Sequence, residues 1–255
     1  MPKVLAPPSI PNNMNRKISH KIRRAHRYLG LFLGLQFLMW TISGLYFSWT
    51  NLDEIHGDQF KNLDYQPMAF EDLISPSEIN HSDAIKNIEI RDIKKEPFYL
   101  INGSYLYNAK TGEHKKTISK EDAIYIANNH MKEGLEISSI ERIYEVGKHH
   151  EYREKLLPAY VINYISDVNL KAYISIENAK FQTVRHRDWR WFDFLWMTHT
   201  MDYEGRDDFN NTVLRIFSLL GLITVFSGFS LWFVSSPTVR TVSYTHLTLP
   251  TNREV

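Results

Sequence analysis

The stretch that decides the architecture is YLGLFLGLQFLMWTISGLYFSWTN, Tyr28 to Asn51, which contains no charged residue. A second run, IFSLLGLITVFSGFSLWFVSSPTV from Ile216 to Val239, is uncharged too. A helix crosses the hydrocarbon core of a bilayer with about 20 predominantly apolar residues, and each run supplies them. Trp40, Tyr46 and Trp49 lie toward one end of the first run and Trp232 near the far end of the second, positions that suit a membrane interface. Two buried helices of a soluble domain are the competing reading, but such helices seldom go this far without a charge. The pattern therefore predicts transmembrane helices over 28–50 and 213–236. The slightly negative mean hydropathy of the whole chain averages over this segregation.

Charge orients the two spans. Residues 1–27 carry seven basic residues (Lys3, Arg16, Lys17, Lys21, Arg23, Arg24 and Arg27) and no acid, as a cytoplasmic flank does under the positive-inside rule. Residues 51–215 hold 21 basic against 28 acidic residues, a formal charge of −7, so the loop is expected outside. A cleaved signal peptide is the alternative for the first run. That run is longer than the usual apolar region of a signal and ends in TISGLYFSWT without an A-x-A-like site, so it is expected to be retained. At the other end, VSYTHLTLPTN (Val242 to Asn252) matches the translation of a transposase adapter used in short-read libraries. No function is assigned after Thr241, and the natural C-terminus is expected to be missing.

Composition removes several classes. The chain has 255 residues, no Cys, 43% apolar residues and 13% aromatics, which excludes disorder, collagen, disulfide scaffolds and thiolate metal sites. No G-x-S-x-G, H-E-x-x-H, P-loop or G-x-G-x-x-G occurs. Nucleic-acid binding is not expected, since membrane topology accounts for the one concentrated basic stretch.

The loop between the spans reads as helix plus antiparallel sheet. Pro97 to Asn102 followed by Tyr105 to Gly112, and Pro158 to Asn163 followed by Ala172 to Lys180, both read as hairpins, rich in β-branched and aromatic residues. NAKTGE is a turn, with Gly112 where positive φ is easiest. ISKEDAIYIANNHMKEG opens with Ser119 and Asp122 in capping-box spacing, sets Ala123, Ile126, Ala127 and His130 along one face and closes before Gly134. Strands are predicted over Ile137 to Val146 and Glu151 to Ile165, and a short helix in SPSEINHSDAIKN. DWRWFDFLWMTHTMDY reads as an aromatic helix lying at the outer interface. Its neighbouring acids, Asp193, Asp202, Glu204, Asp207 and Asp208, either gather a cation or a basic ligand or form a solvated collar, with Asp207 or Asp208 near the start of the second span.

These blocks carry a resemblance. SKEDAIYIANNHM, LPAYVINY, KAYISIENAKFQTV and RWFDFLWMTHTMDYEGRDDFNNTVLRIFSLLGLITVFSGFSLWFVSS resemble the PepSY domain and its associated transmembrane helices. HRYLGLFLGLQFLMWTISGLYFSW resembles the first span of that family, and the likeness covers about 26–236. IENAKFQTV departs from the pattern, lacking the Gly of the family's "DxxTGEV" turn that NAKTGEHKK keeps. The resemblance implies a bacterial inner-membrane protein, membrane-anchored α+β in fold, with two transmembrane helices flanking a periplasmic PepSY-like domain. The expected divisions are a cytoplasmic basic tail (1–27), the first span (28–50), a periplasmic region with a degenerate PepSY-like hairpin (51–118) and a PepSY-like domain (119–187). An interfacial aromatic helix with its acidic collar (188–212), the second span (213–236) and a cytoplasmic tail (237–255) complete the chain.

Without Cys, chemistry falls to histidines. His20 and His26 precede the first span, His56 follows it and His199 lies in the aromatic segment. Low-spin haem b takes two imidazoles on opposite faces of its ring, and membrane relatives resembling ferric-siderophore reductases carry b-type haem. His56, His199 and His26 are therefore the candidate haem ligands, each with a plain structural role as the alternative. His26, Gly30 and Gly34 line one helical face, and Gly30-x-x-x-Gly34 is a close-packing pattern toward the second span or toward another copy. A homodimer through Gly30 and Gly34 would supply the four helices that a haem-carrying reductase needs. His149-His150 in a strand would point to opposite faces and chelate poorly.

Three functions follow. The first is a non-catalytic two-span protein, embedded in the lipid bilayer, presenting a periplasmic domain that binds a ligand or protein partner. The second is a haem-carrying electron-transfer component acting on ferric siderophores or other ferric chelates. The third, implied by soluble relatives resembling peptidase pro-domains, is a regulator or inhibitor of a periplasmic peptidase.

Overall fold

The structure, a computed structural model, describes residues 12–235. Residues 1–11, with Lys3, and everything after Ser235, the adapter-like tail included, lie outside the described residues. Contacts divide the described residues into two units: a helical unit of 12–44, 198–202 and 207–235, and a sheet unit of 45–197 and 203–206.

The helical unit is built from α1 (Asn12–Trp49), the last turn of α4 (Arg187–Thr200) and α5 (Thr212–Ser235). The first uncharged run lies in α1 as far as Trp49 and the second in α5 as far as Ser235, and both helices are long and apolar enough to cross a membrane. Their outer faces are apolar and open: Leu31, Phe32 and Leu35 on α1 and Phe226, Phe229 and Trp232 on α5 are exposed, a pattern that a bilayer satisfies and water does not. Inside, Leu33, Phe217 and Met201 form a small buried cluster flanked by Trp40, Leu214 and Leu220. The cap of α5 is Asn211, whose side chain accepts the Leu214 N–H at 2.8 Å, rather than the Asp207 or Asp208 expected from charge. Asp208 instead turns its carboxylate to the Asn210 N–H.

The sheet unit holds two four-stranded antiparallel sheets, each in simple meander order. The first comprises β1 (Ile88–Ile93), β2 (Glu96–Ile101), β3 (Tyr105–Asn108) and β4 (His114–Lys115); the second β5 (Ile137–Ile143), β6 (Ala159–Tyr164), β7 (Lys171–Ser175) and β8 (Phe181–Arg185). Short α2 (Leu52–Ile55) precedes them and α3 (Lys120–His130) joins them. Alternation along the strands gives each sheet two buried faces. Phe98, Leu100 and Leu106 of the first sheet and Tyr160, Ile162, Ala172 and Ile174 of the second enter one core with Ala123, Ile126 and Ala127 of α3. The opposite residues go elsewhere: Tyr99, Ile101 and Tyr107 to a cluster under Ile79, and Val161 and Tyr173 to one under Tyr152.

Both predicted hairpins form, as β2–β3 and β6–β7. Where the later copy lacks the turn glycine, Ala179 takes the left-handed conformation (φ +55°) that Gly112 takes in the earlier one (φ +75°). Its methyl is buried in the shared core, which offsets part of the cost of about 1–2 kcal/mol for an L-residue there. Two expectations change. SPSEINHSDAIKN contains only a 3₁₀ turn at Pro76–Glu78, capped by Ser75, because Ile79 must leave the turn extended to reach the core under Tyr99 and Tyr107. Strand β5 ends at Ile143 and β6 starts at Ala159. The residues between form a loop that lays the Tyr152 ring on Tyr173 (centroids 4.5 Å apart). His149 and His150 therefore sit in a turn, not a strand.

The aromatic segment is helical, as α4, but its acids are not all solvated. Asp193 is 6% exposed, paired with Arg153 at 2.7 Å and with Arg206. Nearby, the Glu151 carboxylate accepts from Tyr173 Oη at 2.6 Å and Arg190 Nε at 2.5 Å. Against its burial, these partners hold its carboxyl below the usual range, while burial first and the Glu151 carboxylate second push the Tyr173 hydroxyl up.

The β1–β2 turn carries strain that sequence can relieve. Lys94 and Lys95 both have positive φ (+56° and +64°), a two-residue turn that favours glycine at its second position. Lys94 is tied to Asp122 at 3.2 Å, whereas Lys95 is exposed. Lys95→Gly is expected to stabilise the protein by about 1 kcal/mol, read as a raised thermal midpoint in detergent.

Candidate functional site

The three candidate histidines fall in different units of the chain. His26 and His199 belong to the helical unit and His56 to the sheet unit. His26 Nδ1 lies 2.7 Å from Ser227 Oγ on α5. His199 Nδ1 lies 2.8 Å from Ser43 Oγ, and its carbonyl accepts the Trp40 indole N–H at 2.8 Å. Seventeen residues of α1 separate Ser43 from His26, about 25 Å at the α-helical rise. The two imidazoles of this unit thus lie at points of α1 about 25 Å apart, His26 within it and His199 against Ser43, and do not face each other across one ring. Nor does the Gly30 and Gly34 face meet α5, since a Cβ on either would have nothing within 4 Å. The packing glycines are those of α5: a Cβ on Gly228 would lie 3.2 Å from His26 Cε1, and one on Gly221 3.1 Å from Phe37 Cζ.

His56 does meet another histidine's surroundings. It caps the C-terminus of α2, with its side chain exposed, and lines a cavity of about 520 Å³ together with Lys61, Tyr65, His130, Phe181 and Gln182. Local sequence explains how the walls form. The capping box fixes the start of α3, with Ser119 Oγ accepting the Asp122 N–H and Asp122 accepting the Ser119 N–H. Burial pushes the Asp122 carboxyl up, but the Ser119 amide and the Lys115 and Lys94 ammonium groups win and hold it low. Eleven residues on, α3 ends at His130.

The loop before the sheets is clamped onto that end. The Asn62 N–H donates to the His130 carbonyl at 2.8 Å and the Lys132 N–H to the Phe60 carbonyl at 2.9 Å, so Lys61 and Met131 pair as an antiparallel bridge. Gly57 makes the approach possible: its φ is +84°, and a Cβ there would lie 3.0 Å from Val184 Cγ1. Alongside, buried His186 sets Nε2 3.1 Å from the Ile55 carbonyl and so donates its proton there.

His130 is the chemical centre of this cavity. Its ring stacks on Phe181, centroids 5.0 Å apart and 6° from parallel, and tilts against Tyr65 at 4.7 Å. Nδ1 lies 2.8 Å from the Ile126 carbonyl, which can only accept, so Nδ1 carries the proton. Burial lowers the ring's pKa, and the neutral form offers Nε2 as an acceptor. Gln182, which also lines the cavity, has a buried Nε2 donor with no hydrogen-bond partner, an unusual state for such a group. One acceptor, one unspent donor and two aromatic walls suit a small molecule or peptide group carrying both a donor and a carbonyl. Among the described residues no cluster of three or more metal-ligating side chains forms.

Sequence reasoning placed His130 on the apolar face of α3 but did not single it out; a titratable ring closing an apolar stripe was the available signal. Gln182 had none, since only the fold turns it inward. In comparison with known proteins, a family model described as the PepSY-associated TM region matches residues 8–235. No curated protein and no solved structure matches.

Burial holds both His130 and His186 below the ordinary histidine value of 6.5. Their unfolded forms bind more protons below that value, so the stabilisation is complete above pH 6.5 and is lost as pH falls through the folded pKa values. The thermal midpoint of the sheet domain is expected to drop from pH 6.5 toward 5, and His130→Gln to flatten part of that drop. A profile unchanged by the substitution would exclude His130 from the titration.

Proposed function

The chain belongs to the PepSY-associated transmembrane family, and on that premise we propose that it is a bacterial inner-membrane protein whose periplasmic domain binds a ligand without catalysis. That it is a membrane protein with a PepSY-associated region follows from the family and from the two apolar helices. The orientation rests on charge: seven basic residues and no acid before the first span, against a loop of −7. The observation that carries the binding reading is the Gln182 amide, a buried donor without a hydrogen-bond partner on a residue that lines the same cavity as His130.

A haem held between His26 and His199 fits one copy of the chain poorly. His26 and His199 are held about 25 Å apart along α1, each with Nδ1 at a serine hydroxyl. A haem ligated by His26 or His199 together with its counterpart would need two copies, brought together on the open Gly30 and Gly34 face; His56 with His199 stays the other candidate pair. No electron-transfer step is assigned to the single chain.

Two measurements on protein in mild detergent separate the readings. A small-fragment screen by thermal shift is expected to give stabilising hits that Gln182→Leu and His130→Phe both abolish; hits indifferent to both variants would overturn the cavity assignment. An absorption spectrum, oxidised and dithionite-reduced, is expected to show only the aromatic band for the monomer. A Soret band with sharp reduced α and β bands, lost in His199→Ala, would replace this reading with the electron-transfer one.

A further inference from the structure

Among the described residues β8 pairs only with β7, at the edge of its sheet, and that pairing is irregular. Phe181 opposes Ile174 and Thr183 opposes the adjacent Tyr173, so Gln182 is one residue too many for a regular ladder, a β-bulge. Bulges re-aim side chains, and they gather at sheet edges and beside functional sites. In a regular strand neighbouring side chains point to opposite faces, yet Phe181, Gln182 and Thr183 all line the His130 cavity. The bulge accounts for the Gln182 amide and the Phe181 ring sharing that cavity.

The lining is one-sided in charge. No carboxylate is among the described residues that line the cavity, whereas Lys61 and two histidines are. The acids of the neighbourhood, Asp58, Asp64 and Glu133, line an adjoining hollow that shares Lys61, Asn62 and Leu63 with it. Lys61 gives one N–H to Asp58 Oδ1 at 2.8 Å, with its side chain 24% exposed, and an ammonium carries three donors. Gln182 Nε2 is the buried donor without a hydrogen-bond partner. Two kinds of N–H donor, one of them charged, favour an anionic oxygen over a neutral one.

His130 asks for something else. With Nδ1 bonded to the Ile126 carbonyl, its Nε2 accepts, so a ligand meeting it must bring a donor. The His130 ring, stacked on Phe181 and tilted against Tyr65, offers an aromatic wall that suits a planar apolar group.

We propose that this cavity selects an organic carboxylate with an N–H or O–H donor beside the acid group and an apolar ring or chain, the chemistry shared by an N-acyl amino acid and a peptide C-terminus. Lys61 and Gln182 hold the carboxylate, His130 Nε2 takes the neighbouring donor, and Phe181 and Tyr65 cover the apolar part. The inference rests on the reading of the cavity as a binding site and names what it binds.

The test titrates the full chain in mild detergent with N-acetylphenylalanine, its amide and 3-phenylpropionate, which lacks the N–H. The acid is expected to bind about tenfold tighter than its amide, and 3-phenylpropionate more weakly than the acid. Lys61→Gln should make acid and amide equal. Asp58→Asn removes the acid that shares Lys61 and should keep or widen the preference; a loss in both variants alike would make the Lys61–Asp58 pair a structural strut and overturn the proposal. An acid no tighter than its amide, with both lost in Gln182→Leu, overturns the carboxylate assignment and leaves the cavity reading standing. Binding of both that survives Gln182→Leu and His130→Phe overturns the cavity reading as well, and binding of none of the three probes overturns the carboxylate assignment. With the preference established, a short peptide ending in a free phenylalanine that binds tighter than N-acetylphenylalanine identifies a peptide C-terminus as the source, and equal binding a free acid.

Discussion

Hydrocarbon admits neither a charge nor an unsatisfied peptide group at tolerable cost, and the organisation of this chain follows from that constraint. Two runs free of charge become α1 and α5, and nearly all acids are confined to the residues between them. Inside such helices even hydroxyls are bonded back to their own backbone: Thr41 to Phe37, Ser43 to Met39, Thr224 to Leu220 and Ser230 to Phe226. Lipid gives two helices no hydrophobic reason to associate. Close approach and polar contacts do it instead, through His26 on Ser227 and Gly228 and Phe37 on Gly221.

The sheet unit is governed by water and so uses the ordinary means. Strand alternation sends one set of side chains into a core shared with α3 and the other into two smaller clusters. The long 144–158 loop is held by buried charge: Glu151 receives Tyr173 and Arg190, and Asp193 receives Arg153 and Arg206. Removing one partner of such a set leaves an uncompensated buried charge and costs about 3–5 kcal/mol, which fixes where α4 begins relative to β7 and β8.

Much of this was legible in sequence because it rests on local patterns. The charge-free runs, the Ser119 and Asp122 capping box, the Gly112 turn and the two hairpins all announce themselves within a few residues. What was not legible depends on contacts distant in sequence. Ile79 is extended because a tyrosine pair twenty or more residues later needs covering, and Asp193 is buried because Arg153 and Arg206 converge on it. The same holds for the sites. A GxxxG pattern on α1 suggested helix packing, yet the glycines that receive neighbours are on α5. Of the candidate histidines, His56 lines a cavity with a histidine not singled out beforehand, His130, and Gln182 becomes notable only through its burial in the fold.

The account depends most on which side of the membrane carries the sheet domain, since ligand and partner classes follow from that. The absence of cysteine makes the measurement direct: single cysteines at the exposed positions Lys110, in the β3–β4 turn, and Arg23, before the first span, tested with a membrane-impermeant maleimide in intact spheroplasts. Labelling of Lys110→Cys in intact spheroplasts, with Arg23→Cys labelled only after lysis, is the result the account predicts. Labelling of Arg23→Cys before lysis with Lys110→Cys protected would contradict it.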